Sequence, residues 1–156
     1  MVKISASSQR SFWLLQISGW FFFLYLVIAQ GLTAISYDLG VIMGTQESVE
    51  QITEIGTAFF YGFAFGDLVV YIPILATGLI GHMLGKRWAS IPLAAAFGIT
   101  IYWPIVCLAA LVDVRGVEDW KVASELPFWI ALPLITAWGI WGLAQVIKYN
   151  PAKQAE

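Results

Sequence analysis

Four long runs of mostly apolar residues, joined by short charged connections, constrain this chain more than any other feature. A membrane-spanning helix needs about 20 such residues at a rise of roughly 1.5 Å each. The runs fall at about 12–37, 57–85, 91–112 and 126–147, and together they leave no room for a separate soluble domain in 156 residues. Composition agrees, because only 12% of the residues are charged and 60% are hydrophobic. A soluble domain carries about 25% charged residues. The expected fold class is therefore all-α, an integral membrane four-helix bundle forming a single domain over 1–156, with the lipid bilayer as its first partner.

Charge placement predicts the orientation. Lys3, Arg10, Lys86, Arg87, Lys148 and Lys153 fall on one side of a four-span arrangement, and only Arg115 and Lys121 on the other. An excess of Lys and Arg marks the cytoplasmic side. Both termini are thus expected in the cytoplasm, and the cytoplasmic membrane is the expected location. The opposite, outer face carries Asp38, Glu47, Glu50, Glu54, Asp113, Glu118, Asp119 and Glu125. Trp13, Trp88, Trp129 and Tyr149 fall near the predicted interfaces, where aromatic belts form. A cleavable signal peptide is the rival reading of the first run, with Val27, Ile28 and Ala29 before Gln30 as a loose cleavage site. The run exceeds the usual core of about 7–15 residues, which favours a retained helix. Pro92 and Pro127 suit the first turns of their helices, with Ser90 as an N-cap. Between the first and second runs, Ser48 with Gln51 three residues later, or Thr45 alone, can start a helix. That helix would either lie as a short amphipathic piece on the outer surface or extend the second span, with Gly56 as a place for a break.

Asp67 is the most informative single residue. It stands in an aromatic run from Phe59 to Tyr71 with no basic neighbour. A charged side chain at mid-bilayer costs at least about 2.5–3.5 kcal/mol, so it is expected to face protein or water. It can serve as a proton carrier, as counter-ion to a cationic ligand or as anchor for a polar head group. The plain alternative is an interhelical hydrogen bond that fixes packing. Tyr71 lies one turn further along the same face. At comparable depth the first helix offers Gln30 and Thr33, the third Thr100, Tyr102 and Trp103, and the fourth Trp129 and Thr136. The expected ligand site is Asp67, Tyr71, Tyr102, Trp103, Gln30 and Thr136, with Asp67 as counter-ion, the tyrosines as donors and Trp103 as an aromatic wall. Any single aromatic residue also fits a lipid-facing or core-filling role. Pro73, Pro104 and Pro133 fall inside spans, where a missing N–H can kink a helix and widen the bundle.

Small residues at a spacing of four mark packing ridges: Gly62 and Gly66, then Thr77, Gly81 and Gly85. Contact within the bundle is the favoured use, with a second copy or a partner membrane subunit as the other. His82, beside Lys86 and Arg87, reads as an interfacial histidine, and a haem or pigment ligated by it is the remote alternative. Cys107 reads as a small apolar packing residue. One Cys and one His exclude a self-contained zinc site of the usual composition and a Cys-pair relay. The net charge of −2 gives a nucleic-acid backbone nothing to bind. With no phosphate loop, no HExxH motif and the only His far from Asp67, an enzyme is the least favoured class. The leading expectation is a small polytopic membrane protein that binds or transports a cationic or amphipathic small molecule in an outer-half pocket around Asp67. An accessory or assembly subunit is the alternative.

Overall fold

In the computed structural model, residues 6–148 are described, and over that range every regular element is helical. Lys3, Tyr149 and Lys153, which enter the charge and belt readings, lie outside the described residues. The first span is α1 (Ala6–Leu26), a π turn at Val27–Gly31 and α2 (Leu32–Ile35). Extended backbone at Ser36 ends it, and a short helix α3 (Tyr37–Ile42) follows. The second span joins α4 (Val49–Gly66), a π turn at Asp67–Tyr71 and α5 (Ile72–Met83). A 3-10 turn at Arg87–Ala89 leads into α6 (Ser90–Asp113), and α7 (Leu126–Lys148) closes the chain. The four helical stretches Gln9–Ile35, Val49–Met83, Arg87–Asp113 and Leu126–Lys148 are each long and apolar enough to cross a membrane.

The local signals act where their chemistry is specific. Ser48 and Gln51 form a reciprocal capping box, the Ser48 amide donating to Gln51 Oε1 at 2.9 Å, so the second span begins at Val49 rather than near Thr57. Thr45 instead donates its hydroxyl to the Gly40 carbonyl at 3.2 Å and closes the turn after α3. Ser90 does not cap α6, because the 3-10 turn runs straight into the helix and its hydroxyl donates to the Arg87 carbonyl. The bend inside the second span falls at Thr53 (φ 69°, ψ 168°) and not at Gly56. That backbone region is essentially reserved for glycine, so a β-branched residue there is strained. A tether from another connection accompanies it: the Lys121 amide donates to the Gln51 carbonyl at 2.8 Å.

Successive spans run antiparallel, as their contacts show. Gln16 meets His82 while Phe22 meets Tyr71; Gly78 meets Leu93 while Tyr71 meets Thr100; Gly142 meets Phe97 while Gly139 meets Thr100. The core gathers Leu15, Phe22, Leu26, Tyr71, Leu75, Leu79, Leu93 and Phe97, with Val146 from α7. Trp138 closes that side, donating its indole N–H to Ser18 Oγ at 2.9 Å and packing on Phe22 and Phe97. Only 22% to 33% of each apolar stretch is buried within the chain. Phe21, Ile35, Ile91, Leu134 and Ile147 point outward. An apolar exterior this continuous suits hydrocarbon and not water.

Candidate functional site

Pro73 has no amide hydrogen to give to the Val69 carbonyl, and the helix one turn earlier is rearranged. The Ile72 amide bonds to the Asp67 carbonyl, five residues back, in the π turn Asp67–Tyr71. The proline predicted as a kink is therefore taken up by a widened turn that begins at the acid itself. The first span carries its own π turn, Val27–Gly31, with Gln30 in it. The two π turns lie against each other: a Cβ built on Gly31 would sit 4.0 Å from Leu68 Cδ1.

Across from Tyr71, at the end of the π turn, is one face of α6. Thr100, Trp103 and Cys107 follow a spacing of three and four, which stacks them on that face. Tyr71 and Thr100 share a short hydrogen bond, and both are fully buried. Thr100 has one hydroxyl proton, and it goes to the Ala96 carbonyl at 2.8 Å, so Tyr71 is the donor to Thr100. Asp67 stands one turn before Tyr71, towards the acidic connections, at the start of the π turn. Trp103 lies between Thr100 and Cys107 on α6. Its indole Nε1 is buried without a hydrogen-bond partner, and so is Gln30 Oε1. Asp67 is partly buried, and among the described residues no side chain hydrogen-bonds or ion-pairs with it.

Of the residues expected at the site, Asp67 and Tyr71 bound the π turn of the second span, Gln30 sits on the neighbouring π turn, and Trp103 packs against the core from α6. Tyr102 does not join them. It is 66% exposed, a residue away from Trp103 and turned roughly 100° around the helix. Thr136 donates to the Leu132 carbonyl of its own helix at 2.9 Å, and Thr33 likewise bonds Ala29 and packs against Gly40. Cys107, read from sequence as a packing residue, is partly buried and in no disulfide. Of the ridge glycines, Gly81 lies against Trp88 and Ala89, and Gly85 ends α5 with a left-handed backbone (φ 64°). Gly62 and Gly66 make no such contact: a Cβ on either would meet nothing within 4 Å in this chain.

A second polar cluster sits near the end of the bundle that carries Lys86 and Arg87. Trp20 Nε1 donates to Gln16 Oε1 at 3.0 Å, while Gln16 Nε2 lies 3.2 Å from the Leu79 carbonyl and 2.8 Å from His82 Nδ1. An indole only donates and a carbonyl only accepts, so the amide has one orientation and His82 Nδ1 is the acceptor. The ring also stacks on Phe12 with centroids 4.7 Å apart. His82 is thus part of interhelical packing, and a haem or pigment ligand would have to bind through its other nitrogen. No group of three or more His, Cys, Asp or Glu able to hold a metal ion occurs among the described residues.

At the opposite end Glu125 accepts from Trp129 at 3.1 Å, from Arg115 at 3.2 Å and from Trp120 at 3.3 Å. The Trp129 bond, then the Arg115 guanidinium and Trp120, hold its carboxyl below the usual Glu range. Tyr37 donates to the Glu47 carbonyl at 2.8 Å, and burial with the Glu47 charge pushes its phenol up to about 12. Compared with known proteins, the chain matches no family model, no curated protein and no solved structure. What its fold defines is a class: four antiparallel helices of membrane-crossing length.

Proposed function

We propose that this chain is a small polytopic membrane protein that binds or carries a cationic or amphipathic small molecule at Asp67. The single observation behind this reading is the pair of touching π turns, one beginning at Asp67, an acid without a hydrogen-bonding partner among the described residues, the other holding Gln30, whose buried Oε1 is unpartnered. Buried polar groups are nearly always paired, and π turns concentrate at functional positions. A ligand supplying the missing partners accounts for all of them together. Tyr71 serves as a positioned hydroxyl next to the acid and Trp103 as its aromatic wall. In the proposed orientation the basic end faces the cytoplasm, with both termini, and Asp67 belongs to the outer half of the cytoplasmic membrane.

Native mass spectrometry of the protein in mild detergent tests the proposal. Wild type is expected to release a bound small molecule that the Asp67→Asn variant lacks. Spectra without any bound molecule in both proteins would count against a ligand site.

A second reading, an accessory subunit that docks a partner helix, is favoured by the open space in front of Gly62 and Gly66. Because that space is open, Gly66→Leu leaves the chain's own packing intact, whereas Gly81→Leu would drive into Trp88. Loss of a co-purifying subunit in Gly66→Leu, with the bundle still folded, is the outcome this second reading requires.

A further inference from the structure

We infer that the basic end of the bundle is closed by a proton-operated clasp. The start of α1 is held against α5 while His82 is neutral, and a proton taken up by its ring from the solution on that side releases it. The device is separate from Asp67 and holds whether or not that acid binds a ligand.

Hydrogen-bond polarity carries this inference. Trp20 Nε1 can only donate and the Leu79 carbonyl can only accept, so Gln16 turns Oε1 to the indole and Nε2 to the carbonyl, 3.0 and 3.2 Å away. The second hydrogen of that amide goes to His82 Nδ1 at 2.8 Å, which must therefore carry none. A protonated ring bears hydrogen on both nitrogens and sets donor against donor at this contact. Turning the amide over does not repair it, since Oε1 would then face the Leu79 carbonyl and the NH2 group the indole N–H. Gln16 is 3% exposed, so water does not absorb the mismatch. His82 itself is partly exposed, with Met83 and Leu84 open beside it, so protons reach the ring.

Position makes this bond a clasp. One turn deeper, α1 and α5 approach so closely that a Cβ built on Gly19 would lie 2.6 Å from Leu79 Cδ2. From there towards the basic end α1 meets His82 twice, through Gln16 and through the Phe12 ring stacked on the imidazole. The charged groups on the surrounding elements are all basic: Arg10 on α1, Lys86 and Arg87 beyond α5, and Lys148 at the end of α7, while the first turns of α6 carry none. The second span's own intramembrane acid, Asp67, lies about four turns earlier. Among the described residues, no carboxylate at this end is placed to receive the imidazolium.

His82 is the only histidine in the chain, so heavy-nitrogen labelling of histidine gives a single imidazole spectrum. The full chain, labelled on histidine and on the tryptophan indoles, is titrated by NMR in detergent micelles from about pH 8 to about pH 5, across the ordinary imidazole range. At the alkaline end Nδ1 is expected without hydrogen and Nε2 with it. On acidification the Trp20 indole resonance, assigned by its absence in Trp20→Phe, is expected to move along the same curve as the ring. Backbone hydrogen exchange over residues 9–16, corrected for its intrinsic pH dependence, is expected to quicken about fivefold to tenfold, the loss of one hydrogen bond. His82→Phe keeps a ring against Phe12 and removes the proton site, so both responses are expected to vanish. A hydrogen on Nδ1 at the alkaline end overturns the clasp, as does a Trp20 resonance or an exchange rate that stays flat while the ring titrates. Responses that persist in His82→Phe belong to another group and overturn it too.

Discussion

Gln16 makes more of its position than any other polar residue inside the first span. It is only 3% exposed, and its amide joins Trp20, the Leu79 carbonyl and His82. Gln16→Leu would strand the Trp20 N–H and His82 Nδ1, at about 1–2 kcal/mol for the pair after allowing for partners found in the membrane-embedded unfolded state. A lower thermal midpoint in detergent is expected, partly restored when Trp20→Phe removes the stranded donor; an unchanged midpoint in Gln16→Leu would mean that the network contributes nothing. Tyr71→Phe should be milder for stability, about 0.6 kcal/mol, because Thr100 retains its bond to Ala96. If Tyr71 serves a ligand, its loss weakens binding by more than that figure explains, and calorimetry on the same variant separates the two roles. The sequence marks Gln16 as an amide four residues from Trp20, but only the fold supplies His82 as its third partner.

At the scale of the element, two local departures from helical geometry shape the second span. Thr53 sits in a region where only glycine is comfortable, which costs on the order of 1–3 kcal/mol. Against this, glycine loses roughly 0.5–1 kcal/mol of chain entropy relative to other residues. Thr53→Gly is therefore expected to raise stability by about 1 kcal/mol, and a lowered melting temperature would show that the bend is not strained. The other departure is the π turn ahead of Pro73. Pro73→Ala restores an N–H for the Val69 carbonyl and favours an unbroken α-helix. Such a change rotates Asp67 relative to α6, so weaker ligand binding at undiminished helicity is the expected result. Sequence located the proline and the capping box correctly. It offered Gly56 as a place for a break, because a glycine signals freedom, whereas the bend at Thr53 stands beside a tether from Lys121 to Gln51 that comes from a connection distant in sequence.

At the scale of the whole molecule, the bundle has a polar clasp at its acidic end and a buried amide network near its basic end. Glu125 is bonded in its charged form, with its carboxyl below the ordinary range. The stability it lends is thus present above the unfolded pKa and is lost as pH falls through the folded one. Acidification is expected to loosen the connection from α6 to α7 and shift the fluorescence of Trp120 and Trp129. Glu125→Gln should abolish that pH response; an identical titration in the variant would assign it to another group. The sequence by itself determined the number of the spans, their alternating direction and the segregation of charge between the two ends. Those properties sum along the chain, so they need no knowledge of neighbours. Only the tertiary structure decided which residues face inward: Trp103 packs against the core while Tyr102 points out. The physical reason is the solvent, since lipid is as apolar as the bundle interior. In water, an inward face announces itself by contrast with a polar outward one. Here both faces of α6 are apolar, and its few polar side chains acquire meaning only from what stands opposite them.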